Sequence, residues 1–311
     1  MAMNNEIFEL LQQKADIQAR IKLMPYSGSP EIKEINDKKY LYTRKRIVGK
    51  LTSNYVGEYS DELYQLLLRN SKEEKALNKQ LRAIDKKLTN AGYTGDDMSD
   101  RVMQNLDFAR ANMKTSIYDQ AILEGVATSF PQTEDIIENG TVNGMTANDV
   151  QKILNLKHAW EFILDKDVTL CNTEYHLLCH IARIVNEGFF YDGGRIRGVP
   201  VTIGGSSYVP PLPIEIDVID SIKNIMQSEK NVIDIAIELC LYCMKTQIFI
   251  DGNKRASVIF ANHFLISKGQ GFLVIPADNV PEFKKMLVDF YEDKDSENIR
   301  SFMKEVCWKN F

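Results

Sequence analysis

From about residue 99 to the C-terminus, apolar residues recur at helical spacing with a single interruption. That pattern limits the body of the chain to a mainly α architecture. It predicts helices near 99–112, 115–125, 146–165, 172–187, 213–228, 231–247, 253–268 and 279–290, and another at the C-terminus. The interruption is GGRIRGVPVTIGGSSYVPP, Gly193 to Pro211, where Val199, Val201, Ile203 and Tyr208 alternate around Gly204-Gly205. Alternation about paired glycines predicts a short exposed hairpin.

The front of the chain has another character. Ile7, Leu10, Leu11, Ile17 and Ile21 predict an amphipathic helix over 4–24, ended by the turn-forming run from Pro25 to Pro30. The next stretch, KKYLYTRKRIVGKLTSNYVGEY, is rich in strand formers, with a turn expected at Val48-Gly49-Lys50. A second helix is expected from about Asp61 to Asn90, capped by Ser60. Its Leu77, Leu81, Ile84 and Leu88 form a short coiled-coil-like seam. Residues 1–92 therefore read as an antiparallel helical hairpin with a two-stranded ribbon at its tip. Gly92-Tyr-Thr-Gly-Asp-Asp marks the boundary to a body spanning 93–311.

Composition excludes several classes. The chain has 311 residues, 44% hydrophobic and 26% charged, so disorder, collagen-like repeats and a disulfide mini-scaffold are ruled out. No apolar run approaches the ~20 residues of a spanning helix, and the polar N-terminus does not read as a signal peptide. Five cysteines, an odd number, fit a reducing compartment; the expectation is a cytoplasmic protein with no membrane partner. The net charge of −5 is uneven: residues 1–92 hold 17 Lys and Arg against 12 Asp and Glu. The excess sits in the 38–57 ribbon, which has six Lys/Arg and no acidic residue. Interleaved with Tyr40, Tyr42 and Tyr55, these cations suit a nucleic-acid backbone. A ribbon tip gripping a partner protein, a solvated face or a structural cap are the alternatives.

The segment richest in chemistry is TQIFIDGNKRASVIFANHFLISKG. One helix ends near Lys245, a loop carries Phe249, Asp251, Gly252 and Asn253, and a new helix starts at about Lys254. Free N–H groups and the positive end of a helix dipole then lie beside Gly252, where an anion can approach closely. Lys254 and Arg255 add cationic donors, and Asp251 suits a divalent cation on a polyphosphate. From these residues alone the segment is a nucleotide-phosphate cradle. The alternative is that Asp251 caps a helix while Lys254 and Arg255 are surface charges.

QIFIDGNKR resembles the signature of the Fic (Fido) family, H-x-F-x-D-G-N-G/K-R-x-x-R, carried on a loop between two helices. Residues 194–211 resemble the family's flap, which follows a helix like LLCHIARIVNEG (177–188) and precedes paired prolines, here Pro210 and Pro211. QAILEGVATS (120–129) resembles the family's inhibitory helix motif, [ST]-x-x-x-E-[GN], placing an inhibitory segment over 115–125. The likeness covers roughly 100–305, with the three pieces in family order. It implies a Fic-type helical bundle with a β-hairpin flap. It also implies adenylyl transfer from ATP, with Mg2+, to a hydroxyl of a target protein docked on the flap at Val201, Thr202, Ile203 and Gly204, and often a homodimer. Carried over, Asp251 binds Mg2+, Asn253 meets the α-phosphate, Gly252 and Lys254 form the anion nest, Arg255 meets the outer phosphates, and Glu124 is the inhibitory glutamate.

Three departures shape the expectation. Gln247 stands where the family has its general-base histidine, and a carboxamide has no pKa near neutrality. Loss of such a base typically costs ~10²–10⁴-fold in rate, so weakened or absent catalysis is expected. Val258 replaces the arginine that grips the γ-phosphate and pairs with the inhibitory glutamate, leaving Glu124 to meet Arg255 or to be a plain helix residue. Lys254 replaces glycine, as in the Doc branch that phosphorylates its target. The alternatives are a non-catalytic nucleotide-sensing regulatory or DNA- or partner-binding protein, and a Doc-like protein phosphotransferase. Cys240 and Cys243, and the cluster His176, Cys179 and His180, lie in apolar helices, where core packing is expected over zinc.

Overall fold

A computed structural model describes residues 5–47, 50–93, 98–139 and 144–311. The chain divides into two compact units, Met1–Gly95 and Asp96–Phe311.

The first unit contains α1 (Asn5–Leu23), β1 (Ser29–Ile35), β2 (Lys38–Ile47), β3 (Lys50–Glu58) and α2 (Asp61–Asn90). The two helices pack together, with Leu11, Ala15 and Ala19 of α1 and Leu67, Ile84 and Leu88 of α2 buried. Ser60 caps α2 as expected, its Oγ accepting from Leu63 N at 3.2 Å. Only the lower half of the expected seam is buried, since Leu77 and Leu81 remain partly exposed.

The ribbon is a three-stranded antiparallel sheet, order β1-β2-β3, and not a two-stranded hairpin. The run read as a helix-ending turn continues into β1, with Pro30 opposite Thr43. A proline is tolerated there because β1 is an edge strand whose missing N–H breaks no ladder. Asn36 and Asp37 close the β1–β2 turn at φ 52° and 59°, the left-handed pair that a tight hairpin requires. The expected turn at Val48-Gly49 falls outside the described residues, although Ile47 pairs with Lys50. β1 changes the electrostatics. Glu34 lies opposite Lys39, Glu31 accepts from Ser53 Oγ, Lys38 pairs with Glu58 at 3.8 Å and Lys45 with Glu74 at 3.7 Å. The ribbon's cations are therefore interleaved with carboxylates that the linear count over 38–57 does not include.

The second unit comprises α3 (Asp100–Ala111), α4 (Met113–Leu123), α5 (Phe130–Asn139), α6 (Ala147–Ile163), α7 (Lys166–Thr169), α8 (Tyr175–Val185), α9 (Glu215–Met226), α10 (Val232–Thr246), α11 (Asn253–Ser267), β4 (Phe272–Leu273), α12 (Val280–Tyr291), α13 (Glu297–Phe302) and β5 (Trp308–Lys309). Each helix expected in the body is present. α5 and α7 were not expected: one carries a proline in its first turn, and the other is a single turn, too short to show a period. Among the described residues no helix is long and apolar enough to cross a membrane.

The core is built around α11, which packs against α10, α8, α6 and α3. Val258, Ile259, Phe260, Leu265 and Ile266 are buried, each contributing roughly 1.5–3 kcal/mol. Its polar residues are buried as well and act as staples. Asn262 exchanges two hydrogen bonds with the backbone of Leu273. His263 bonds Thr173 Oγ1 and Val168 O, each at 2.8 Å, and burial lowers its pKa to about 4. Gln120 donates to Arg255 O at 3.0 Å and accepts from Trp160 Nε1, tying α4 to α11. Cys240 and Cys243 are buried in α10, and burial raises both thiols.

Candidate active site

α10 ends at Gln247, which adopts φ 49° and ψ 61°. Helices commonly end in this left-handed region, but usually through glycine or asparagine. For another residue it costs about 1–3 kcal/mol and persists only where the surroundings impose it. Here Gln247 Nε2 donates to Met244 O at 2.7 Å, and Gln247 O accepts from Arg197 Nε at 2.5 Å. The loop that follows is closed by Asn253. Its Oδ1 accepts from Phe249 N at 2.9 Å, while Nδ2 donates to Phe249 O at 2.8 Å and to Gln247 Oε1 at 3.1 Å. Phe249 is buried and anchors the loop.

The loop turns into α11 through Gly252 at φ 72°, and no side chain caps the helix. Its first-turn amides therefore begin the helix with their positive dipole end uncovered by a capping group. A Cβ on Gly252 would come within 2.6 Å of Asn186 Oδ1, so only glycine fits. Asn186 is fully buried and holds the loop from behind, donating to Asp251 O at 3.0 Å and to Gly193 O at 3.1 Å.

A cavity of about 400 Å³ opens beside this helix start. Gln247, Ile250, Asp251, Gly252, Asn253 and Lys254 form one wall, Val201, Thr202, Ile203 and Gly204 another, and Glu124, Lys284, Leu287, Val288 and Tyr291 complete it. Every expected site residue lines it except Arg255. That guanidinium is 1% exposed. It donates to Val185 O at 2.6 Å and to Asp251 Oδ2 at 2.9 Å, and its Nε lies 3.4 Å from Glu124 Oε2. Lys254 Nζ lies 3.9 Å from the same carboxylate. Asn253, too, has both amide hydrogens engaged within the loop, so in this conformation the anion donors facing the cavity include backbone amides and the lysines but neither the Arg255 guanidinium nor the Asn253 amide. Val258, at the family's last arginine position, is buried in the core.

The flap segment reverses at Gly204-Gly205, Ser206 N donating to Ile203 O at 3.2 Å, but its arms form no strand ladder among the described residues. Pro200, Pro210 and Pro211 have no N–H to give a ladder. Side chains hold the segment instead: Arg197 at its base, Glu292 accepting from Ser206 Oγ, Ser207 N and Ser207 Oγ at its tip, and Tyr208 stacked on Tyr291 at 6.4 Å. The Lys294 ammonium and the Ser207 and Ser206 donors hold the Glu292 carboxyl at a pKa of about 2. Arg197, Asn186, Glu292, Tyr291 and Lys284 did not emerge from the sequence. Only the GGRIRG run at the start of the flap segment offered a signal, two arginines among glycines.

Known proteins place this geometry. Residues 172–265 match the model of the Fic/DOC family, and residues 4–65 match a domain of unknown function, DUF6788. A search of the curated proteins finds no match. Among solved structures, a fragment of Fic-1 from C. elegans aligns at TM-score 0.52 and 18% identity, over 79% of this chain and 74% of its own. A Fic domain containing signaling protein from Bacteroides thetaiotaomicron aligns at 0.50 and 16%, over 65% and 79%. A Fic family protein from Desulfovibrio desulfuricans aligns at 0.53 and 16%, over 65% and 64%. At these identities the structures speak for the fold, and the family model speaks for the loop and its flanking helices. Together they show a Fic-type fold for the helical body, within which residues 172–265 match the Fic/DOC family model.

Proposed function

We propose that this domain binds ATP with its phosphates on the N-terminus of α11 and transfers AMP to a hydroxyl side chain of a target protein docked on the 201–204 arm. The observation that carries the reading is the uncapped start of α11 facing a cavity whose opposite wall is that arm. First-turn amides and the Lys254 and Lys284 ammoniums suit a polyphosphate. Asp251, half exposed with one oxygen on Arg255, fits a Mg2+ that draws its remaining ligands from phosphate and water; when bound, that ion neutralises phosphate charge.

In the step itself the target hydroxyl oxygen bonds to the α-phosphorus, the bond to the pyrophosphate oxygen breaks, and the hydroxyl proton leaves to solvent. Gln247 cannot take that proton, so transfer relies on positioning and on charge stabilisation by the helix start. A reading without turnover, in which ATP is a regulatory ligand, is favoured by the Gln247 carboxamide, which is bonded on both its nitrogen and its oxygen.

The test uses ATP labelled at the α- or the γ-phosphate, host lysate, the full chain and its Gln247→His variant. α-Label on protein supports adenylylation, with a gain of about 10²–10⁴-fold in the variant. γ-Label alone would mean phosphotransfer. ATP binding with no transfer by either protein would leave the regulatory reading, and no ATP binding at all would remove both.

A further inference from the structure

Arg197 is an unusual residue for its surroundings. It is 4% exposed, and among the described residues it has no carboxylate partner. A buried charge needs polar groups around it, and here they are all backbone. Nε donates to Gln247 O at 2.5 Å, Nη1 to Val199 O at 2.8 Å, and Nη2 to Pro210 O at 3.2 Å and Pro211 O at 2.6 Å. Its own N–H donates to Ile248 O at 2.9 Å.

These bonds join three pieces of chain. Val199 begins the first arm of the flap, Pro210 and Pro211 end the second, and Gln247 is the left-handed residue that closes α10. The planar fork of donors holds both arms together at their base, where the prolines cannot supply a ladder. It also satisfies a carbonyl at the C-terminus of α10, where orphan carbonyls and the negative dipole end favour a cation. From Arg197 to Val201 the chain can span at most roughly 14 Å, so fixing Arg197 on the Gln247 loop limits how far Val201–Gly204 can stand from Gly252–Lys254 across the cavity.

We propose that Arg197 is a positioning residue: it straps the flap to the α10–α11 loop through backbone carbonyls and thereby sets the width of the phosphate cavity. The effect on ligand rests on the nucleotide reading above; the strap itself does not. A lysine cannot replace it, because one ammonium cannot direct donors in a plane toward carbonyls on three segments. Free guanidinium, which has that plane, can occupy the space left by truncation.

The experiment compares wild type, Arg197→Ala and Arg197→Lys in the full chain, with near-UV circular dichroism confirming the fold. If the alanine variant does not fold, the lysine variant carries the comparison. Amide exchange over 199–211 and ATP affinity by calorimetry are the readouts, each with and without dilute guanidinium chloride and with ammonium chloride at equal ionic strength. Faster exchange confined to 199–211 and about tenfold weaker ATP binding, near 1.4 kcal/mol, are expected. Guanidinium restores both in Arg197→Ala and ammonium neither, a recovery that a general loss of packing would not show. Unchanged exchange overturns the strap, and faster exchange with unchanged ATP affinity overturns its role in the cavity. If wild type binds no ATP, the nucleotide reading fails, and exchange with its rescue decides the strap alone.

Discussion

Glu124 Oε2 lies 3.4 Å from Arg255 Nε, joining the residue that ends α4 to the buried arginine in the first turn of α11. The same carboxylate lines the cavity and is 3.9 Å from Lys254. A nucleotide phosphate in the cavity would face it and compete for Lys254. Glu124→Gln is therefore expected to strengthen ATP binding several-fold. Truncating a partner of a buried ion pair also has a stability cost, here about 1–3 kcal/mol because Asp251 remains on Arg255. Calorimetric titration and urea midpoints measure the two effects; weaker ATP binding by a folded variant would refute the competition.

Gly252 and Gly204 both line the cavity and are expected to respond differently to alanine. At Gly252 the backbone is left-handed and a Cβ would strike Asn186 Oδ1 at 2.6 Å, so Gly252→Ala should lose about 1–3 kcal/mol and weaken ATP binding. At Gly204 a Cβ meets nothing within 4 Å, so Gly204→Ala should stay within about 0.5 kcal/mol of wild type. Equal midpoints for the two variants would contradict the loop geometry.

His263 predicts a pH dependence. Burial first, and then the Lys268 charge, keep its imidazole neutral, with a folded pKa of about 4 against 6.5 when free. Between those values the unfolded chain binds the proton and the folded chain does not, so stability rises with pH across the window and is lost as pH falls from about 6.5 towards 4. The slope from this residue is at most about 1.4 kcal/mol per pH unit. Urea midpoints at pH 7 and pH 5 should differ less in His263→Gln than in wild type, whatever that variant's absolute stability.

In the first unit, Asp37 holds φ 59° in the β1–β2 turn and is exposed. Asp37→Gly should stabilise that unit by a few tenths to about 1 kcal/mol, since glycine enters this region freely. Thermal unfolding that occurs earlier in the variant would argue against the turn.

The paired charges of the sheet bear on nucleic acid. With Glu31, Glu34 and Glu58 beside its cations, the ribbon is expected to give little salt-sensitive shift of duplex DNA. A strong shift lost in the triple variant Arg44→Ala, Lys45→Ala, Arg46→Ala would reverse that expectation.

The sequence by itself determined the helices of the body other than α5 and α7, because apolar spacing is a local record of which helix face is buried. It also located the loop 247–255 and the flap, because glycine, proline and the DGNKR run carry their backbone and charge requirements in place. It did not show β1: Pro30 reads as a breaker until an edge strand makes its missing N–H harmless, and Asn36-Asp37 signals a turn only once both sides are seen to pair. The tertiary structure alone decided what the site residues do. Asn253 carries the same carboxamide whether it faces a phosphate or its own loop, and Arg255 the same guanidinium whether it meets ATP or Glu124. Arg197 reaches Gln247 across a separation of 50 residues. Such choices follow from which groups folding brings within hydrogen-bond reach, and periodicity carries no record of contacts at that range.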